Sequence, residues 1–343
     1  MNAQIFKAPL FVAAALFLIF GQAFAGERTV NCDKGDSLQK AIDAGAGSAA
    51  PIEIHVTGTC VEDLLIARDR LAILGDGNTL ISGQVTVRGA DNLTIRDLTI
   101  TGPGNGINAS VARIFMTNVH LIGNGDYGLA LRHGGAIFMR DGSIAHNQGD
   151  IGLLIENGFG NLRNMEVFEN AVDGIVVNEN GSLTMIGGGV NLHGNGTGIM
   201  VNLSSALELE GVHVGFNQFA GVSLSLSSVA AINDSALNAN GEFGLVLTEN
   251  SSATISGGGL AANGRHGAWP QSHSVLRLID AEVYGNNEHG VFVETDGGLF
   301  VGGTTVIDGN WAEHQIVCLG KEASMEIGPD AYVSSWACDD PDF

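Results

Sequence analysis

The chain has 343 residues, with 37 Asp+Glu against 15 Lys+Arg and a formal net charge of −22. Its few basic residues are scattered along the sequence, which argues against nucleic acid or an anionic membrane as partner. The same field repels a polyanionic glycan unless a cation such as Ca²⁺ screens it, and acidity of this kind also simply keeps an exposed protein soluble.

The first 25 residues read as a secretory signal. Lys7 gives a positive start, Ala8 to Phe20 an apolar core, and Ala23-Phe24-Ala25 a small-x-small cleavage site. No later apolar run is long enough to suggest membrane insertion. The mature chain is therefore expected to begin near Gly26 and to be secreted or periplasmic. Four cysteines fall as two local pairs, Cys32 with Cys60 and Cys318 with Cys338. In an exported chain each pair is expected to form a disulfide, one near each end. Neither pair has metal-site spacing.

Residues 26–62 are expected to form an N-terminal cap. Within them Asp36-Ser37-Leu38-Gln39-Lys40-Ala41-Ile42-Asp43 predicts a short helix, with Asp36 as N-cap, Gln39 returning to it, and Leu38, Ala41 and Ile42 on one face. A helix there would shield the open end of a stacked array.

That array is expected over residues 63–320. Asn124, Asn147, Asn170, Asn195, Asn217, Asn240, Asn263, Asn286 and Asn310 follow one another at intervals of 22 to 25 residues. Most are followed by glycine and a short apolar run, as in Asn240-Gly241-Glu242-Phe243-Gly244-Leu245-Val246-Leu247. A period of about 23 residues is the signature of a solenoid, in which each repeat buries its core only against its neighbours. The segments are short and glycine-rich, and alternate positions are apolar (Ile175 and Val177, Leu245 and Leu247), so they are strands with one face inward. About three strands fit in each coil, each pairing with its equivalent above and below. The fold class is all-β, a single-stranded parallel β-helix. The asparagines are expected to form a structural ladder of buried amides. Residues 321–343, tied by Cys338, are expected to close the far end.

The Asn-x(2–4)-Gly-[Leu/Ile/Val] repeats resemble secreted right-handed parallel β-helix proteins of the pectin-lyase-like superfamily. The opening Val30-Asn31-Cys32-Asp33-Lys34-Gly35-Asp36-Ser37-Leu38-Gln39 with Gly58-Thr59-Cys60, and Asn92-Leu93-Thr94-Ile95-Arg96-Asp97-Leu98-Thr99-Ile100, carry the same resemblance. It covers nearly the whole mature chain and implies the right hand of the helix. It says little of function, because this scaffold serves lyases, hydrolases, epimerases and adhesins alike. The Asn-Thr-Asp and Arg-x-Lys of polygalacturonase-like hydrolases and the Asp-Pro-His of alginate epimerases are absent, and the one Asp-Asp, Asp339-Asp340, lies in the tail.

Stacking the repeats on the asparagine places equivalent residues about 4.8 Å apart. One column then reads Glu242, Arg265, Glu288 and the next Phe243, His266, His289, with Glu313 and His314 continuing them if the last turn holds an extra residue. This is the densest titratable cluster. On an acid–base reading His266 or His289 is the base, Glu288 its neighbour, and Arg265 neutralises a uronate, as in a lyase or epimerase rather than a hydrolase. Trp269 and Phe292, in an outward column that also holds Ala130, Leu154, Val176, Met200, Ser223, Val246 and Val317, would stack on sugar rings beside Glu242, Glu313 and His314. On the other reading Arg265 bridges Glu242 and Glu288 as a surface ladder with the histidines as turn residues, and the apolar column is covered by a loop or by another subunit; a rival role is a structural or adhesive protein whose apolar column contacts a partner. Asp126, Asp150 and Asp173 occupy successive turns and read as solvated carboxylates; the alternative is that Ca²⁺ finds oxygen ligands there, though their registers differ. The partner expected overall is a polysaccharide or cell-surface glycan; oligomeric state is not legible.

Overall fold

The computed structural model describes residues 26–45, 49–191, 195–294, 296–320 and 323–338. The signal segment, Lys321 and the last five residues of the tail lie outside them. The chain winds as a parallel β-solenoid of about 13 turns, each of about 23 residues.

One coil shows how the sequence closes a turn. Phe243–Leu247 lies on the first wall, Ser252–Ser256 on the second and Gly259–Ala261 on the third, after which Asn263 leads back to the first. The next coil repeats this in register, with Leu245 beside Ala268, Ala253 beside Leu276 and Leu260 beside Val283. Leu245, Leu247, Ala253, Ile255 and Leu260 all point inward and are at most 2% exposed. The alternation seen in sequence is thus the inside and outside of each wall.

The asparagine ladder is continuous in sense. Asn240 Nδ2 donates to Asn263 Oδ1 at 3.1 Å, Asn263 to Asn286 at 2.9 Å, and Asn286 to Asn310 at 2.7 Å. Each Oδ1 also accepts the backbone N–H of the preceding asparagine, as Asn263 does from Asn240 at 3.0 Å. The glycine that follows has a steric reason. A Cβ on Gly244 would lie 2.6 Å from Gly267 O and 2.9 Å from Asn263 Nδ2, so a side chain there would push the ladder apart. The ladder ends on Gln315, whose Oε1 accepts from Asn310 Nδ2 at 2.6 Å and N at 2.9 Å. Gln315 stands where earlier coils have glycine, and it needs no such space because no asparagine follows.

A second ladder runs between the first and second walls. Buried Ser205, Ser228, Ser251 and Ser274 each accept, through Oγ, a backbone N–H from the coil before, at 3.1 to 3.3 Å. Its 23-residue period was present in the sequence but hidden by the abundance of serine.

At the start, Leu38–Asp43 is helical, and Leu38 and Ile42 join the core. Its N-cap is Ser37, which accepts from Lys40 N, while Asp36 accepts from Asn31 N instead. Gln39 bonds Asp43 and Leu65 rather than the cap, and the second acceptor for the helix N-terminus is Glu62, at 2.6 Å from Leu38 N. At the other end Ser324–Ile327, Tyr332–Val333 and Trp336–Cys338 pair in register with the coil before them, so this part of the tail adds a further turn. Cys32–Cys60 and Cys318–Cys338 are both bonded. Two disulfides favour an oxidising compartment. Among the described residues no helix is long and apolar enough to cross a membrane.

Candidate functional site

Phe243, His266 and His289 each directly precede the glycine that opens a first-wall strand, and their side chains turn outward over that wall. They meet the outward residues of the strands, Val246, Trp269 and Phe292, which neighbour one another in register. The result is a packed set of rings. His266 stacks on Phe292 at 4.8 Å and 11° and on His289 at 5.3 Å and 22°, and Phe243 lies 4.9 Å from Trp269. Phe243 is 1% and His266 3% exposed, whereas His289, Trp269 and Phe292 are partly exposed.

Hydrogen bonds fix the two histidines in different states. His266 Nδ1 accepts the backbone N–H of His289 at 3.3 Å, and its Nε2 faces Glu288 Oε2 at 3.2 Å. The neutral ring therefore carries its proton on Nε2 and donates it to Glu288, leaving no free lone pair. Burial, with the nearby charges of His289 and Arg265 adding to it, lowers its pKa to about 3. His289 differs. Its Nδ1 lies 2.8 Å from the carbonyl oxygen of His314 and donates to it. That leaves Nε2 with the lone pair and without a hydrogen bond among the described residues.

Arg265 stands between Glu242 at 3.7 Å and Glu288 at 3.5 Å, with its guanidinium 5.2 Å over the Phe243 ring. The surface-ladder arrangement is the one observed, and the guanidinium is already shared between two carboxylates. These exposed pairs hold geometry more than they add stability. Trp269 Nε1 donates to Glu294 Oε2 at 3.0 Å. Glu294 belongs to the cluster and was not singled out in the sequence. It lies one coil on from Trp269, on the strand Val291–Glu294 that also carries Phe292.

Three expectations are corrected. Ala312, not Glu313, bonds the Glu288 carbonyl through its N–H, so Glu313 is the inserted residue of the last turn and stands exposed outside the column. His314 does sit beside His289, through its carbonyl, and its own Nδ1 is buried without a partner. The apolar column is not a continuous exposed stripe: Ala130, Leu154, Val176 and Val246 are 0 to 7% exposed, while Met200, Trp269, Phe292 and Val317 are partly exposed. Turn residues of the same wall, Tyr127 and Ile151 at one end and Phe243 at the other, fold over it. The aspartates also separate in role. Asp173 is buried, and its Oδ1 accepts from Thr197 N at 2.9 Å. Burial raises its pKa. Asp126, Asp150 and Asp173 do not converge as a ligand cluster among the described residues.

Parallel register, inward alternation and an amide ladder together define a parallel β-helix. The family profile described as "Right handed beta helix region" matches residues 76–196 and 173–324, and the chain belongs to that family. Among solved structures it is similar to the A-module of mannuronan C-5 epimerase AlgE6 of Azotobacter vinelandii. That match has a TM-score of 0.71 and 19% identity over 91% of this chain and all of the other. The periplasmic alginate epimerase AlgG (0.51, 14%, 90% and 83%) and the Dettilon tailspike protein (0.62, 13%, 92% and 69%) are also similar. At these identities the likeness is one of fold. No curated protein matches the sequence.

Proposed function

We propose that this chain recognises a polysaccharide outside the cytoplasm, on the first wall across the coils that carry Trp269 and Phe292. The observation that supports this reading is the fixed indole. Trp269 sits on a strand, is held by Glu294, and is flanked by Phe292. A rigid aromatic beside carboxylate acceptors suits the C–H face and hydroxyls of a sugar. Two of the similar structures are named as epimerases of mannuronan and alginate, which agrees with a glycan partner.

Recognition suits the cluster better than conversion. Removing the proton beside a uronate carboxylate needs a base and a cation for the developing charge. Arg265 is engaged by two glutamates, His266 has no free lone pair, and Glu294 adds further negative charge. Of the two stacked histidines His289 alone keeps a ring nitrogen, Nε2, without a hydrogen bond among the described residues, so an epimerase or lyase reaction would run through it. A structural or adhesive role based on the apolar column has no continuous exposed stripe among the described residues, because Ala130, Leu154, Val176 and Val246 are covered.

The test is a screen of the full chain against neutral and acidic glycans, with and without Ca²⁺, reading binding and the ultraviolet absorbance of unsaturated products together. Binding that falls at least about tenfold in Trp269→Ala and survives His289→Gln, with no product, is the expected result. Product that disappears in His289→Gln would replace recognition by catalysis. Binding that survives Trp269→Ala would remove the site from this wall.

A further inference from the structure

On the third wall, far from Trp269, polar side chains of successive coils join in one chain of hydrogen bonds. The outward column there reads Thr99–His120–Ser143–Glu166. His120 Nδ1 lies 2.8 Å from Ser143 Oγ, and its Nε2 lies 3.3 Å from Asn118 Oδ1. Asn118 Nδ2 in turn donates to Asp97 Oδ1 at 2.9 Å. Asn118 and Asp97 occupy equivalent corners between the second and third walls, at φ of +51° and +57°.

The donors are ordered from the far end. A carboxylate only accepts, so the Asn118 amide turns its NH₂ to Asp97 and its oxygen to His120. That oxygen calls for a proton on His120 Nε2. The neutral ring then keeps its lone pair on Nδ1, where it accepts the Ser143 hydroxyl. A hydroxyl, a base and a group that orients the base are thereby aligned, which is the arrangement that activates a serine nucleophile. Ser110 offers the contrast. Its Oγ lies 3.5 Å from His133 Nδ1 in an exposed position, and no third group bonds that ring among the described residues. Ser143 itself is 8% exposed, between the more open His120 and Glu166, so only a small group reaches its Oγ.

We propose that Ser143, His120 and Asn118 form an acyl-transfer site that cleaves small carboxylic esters, of the size of an acetyl ester. Ser143 Oγ bonds to the ester carbonyl carbon, and its proton passes to His120 Nδ1 and on to the departing alkoxide. Water then adds its hydroxyl to the acyl carbon, the acyl–Oγ bond breaks, and the proton of water returns to Oγ through His120. Ser143 and His120 are the catalytic residues, and Asn118 positions the ring. Pairing of Ser143–Ala145 with both neighbouring strands occupies the N–H groups of this wall, so few donors meet the oxyanion and turnover is slow. The inference stands or falls apart from the first-wall reading.

Two probes of the full chain test it. Diisopropyl fluorophosphate should phosphorylate Ser143 with release of fluoride, located by peptide mass, and p-nitrophenyl acetate should release nitrophenolate. Ser143→Ala should abolish both, and His120→Gln should slow both at least about a hundredfold. Asn118→Ala should lower kcat and leave KM unchanged, because it disturbs the base and not the ester. Ser110→Ala and His133→Gln should change neither reaction. Ser143→Cys keeps a nucleophile in the same place and should be alkylated by iodoacetamide faster than Ser110→Cys. No label on Ser143, undiminished label in His120→Gln, or equal ester cleavage in Ser143→Ala would overturn the proposal.

Discussion

Replacing Asn240 by alanine should cost far more than replacing Asn124, although both are fully buried members of one ladder. Asn240 accepts from Asn217 N at 3.2 Å and Asn217 Nδ2 at 3.0 Å, and donates to Val214 O at 3.3 Å and Asn263 Oδ1 at 3.1 Å. Alanine removes all four hydrogen bonds and leaves Asn217 N without its side-chain acceptor, while Asn263 Oδ1 keeps the backbone N–H of residue 240 and Asn217 Nδ2 keeps Val190 O. At about 1 kcal/mol net for each hydrogen bond lost, the loss is about 4 kcal/mol. Asn124 heads the ladder. Its Oδ1 has no partner, and its Nδ2 donates only to Asn147 Oδ1 at 2.9 Å and Ile100 O at 3.4 Å. Alanine there removes two hydrogen bonds, with Asn147 Oδ1 still accepting the backbone N–H of residue 124, and costs about 2 kcal/mol. Urea unfolding followed by circular dichroism gives the two differences, and hydrogen exchange at the Asn217 amide reports the local opening. Equal losses in the two variants, or a loss under about 1 kcal/mol for Asn240→Ala, would show that the ladder is bystander geometry and that the apolar interior alone holds the coils.

Two further outcomes follow from the same geometry. His266 is neutral when folded, with its pKa held at about 3, and titrates near 6.5 when unfolded. The unfolded chain therefore binds the extra proton first, so the stability present above pH 6.5 is lost as pH falls toward 3. The loss runs at up to about 1.4 kcal/mol per pH unit, or about 3 kcal/mol by pH 4. His266→Phe keeps a ring against Phe292, should be less stable at pH 7 because His289 N–H loses its acceptor, and should lack this slope in unfolding measured from pH 7 to 4. Ala262 holds φ at +55° just before Asn263, a conformation that strains an L-residue. Ala262→Gly should raise the thermal midpoint, with a gain of up to about 1 kcal/mol, and no gain would mean that the lost methyl contacts offset the relieved strain.

The sequence alone determined the repeat, its length and its interior. Period-two alternation decides which side chains face inward, and a 23-residue recurrence of asparagine can be satisfied only by stacking, so local pattern and global fold coincide. The steric role of the glycine after each asparagine follows the same period. What the sequence could not supply was the direction and engagement of side chains on the outside. Residues that aligned in a column, such as Glu242, Arg265 and Glu288, did become neighbours. Yet Glu313 slipped out of its column because one inserted residue is absorbed locally, and His266 lost its lone pair to an amide from the next coil. The outward apolar column was covered by residues from its own turns, which no periodicity reveals. Arg96, Arg140 and Arg163 share one outward column of the second wall only once the coils are stacked, because residues so far apart in sequence meet only when the register of every intervening turn is known. Core positions are fixed by pattern because water excludes them all alike; surface chemistry depends on individual contacts, and tertiary structure alone decides those.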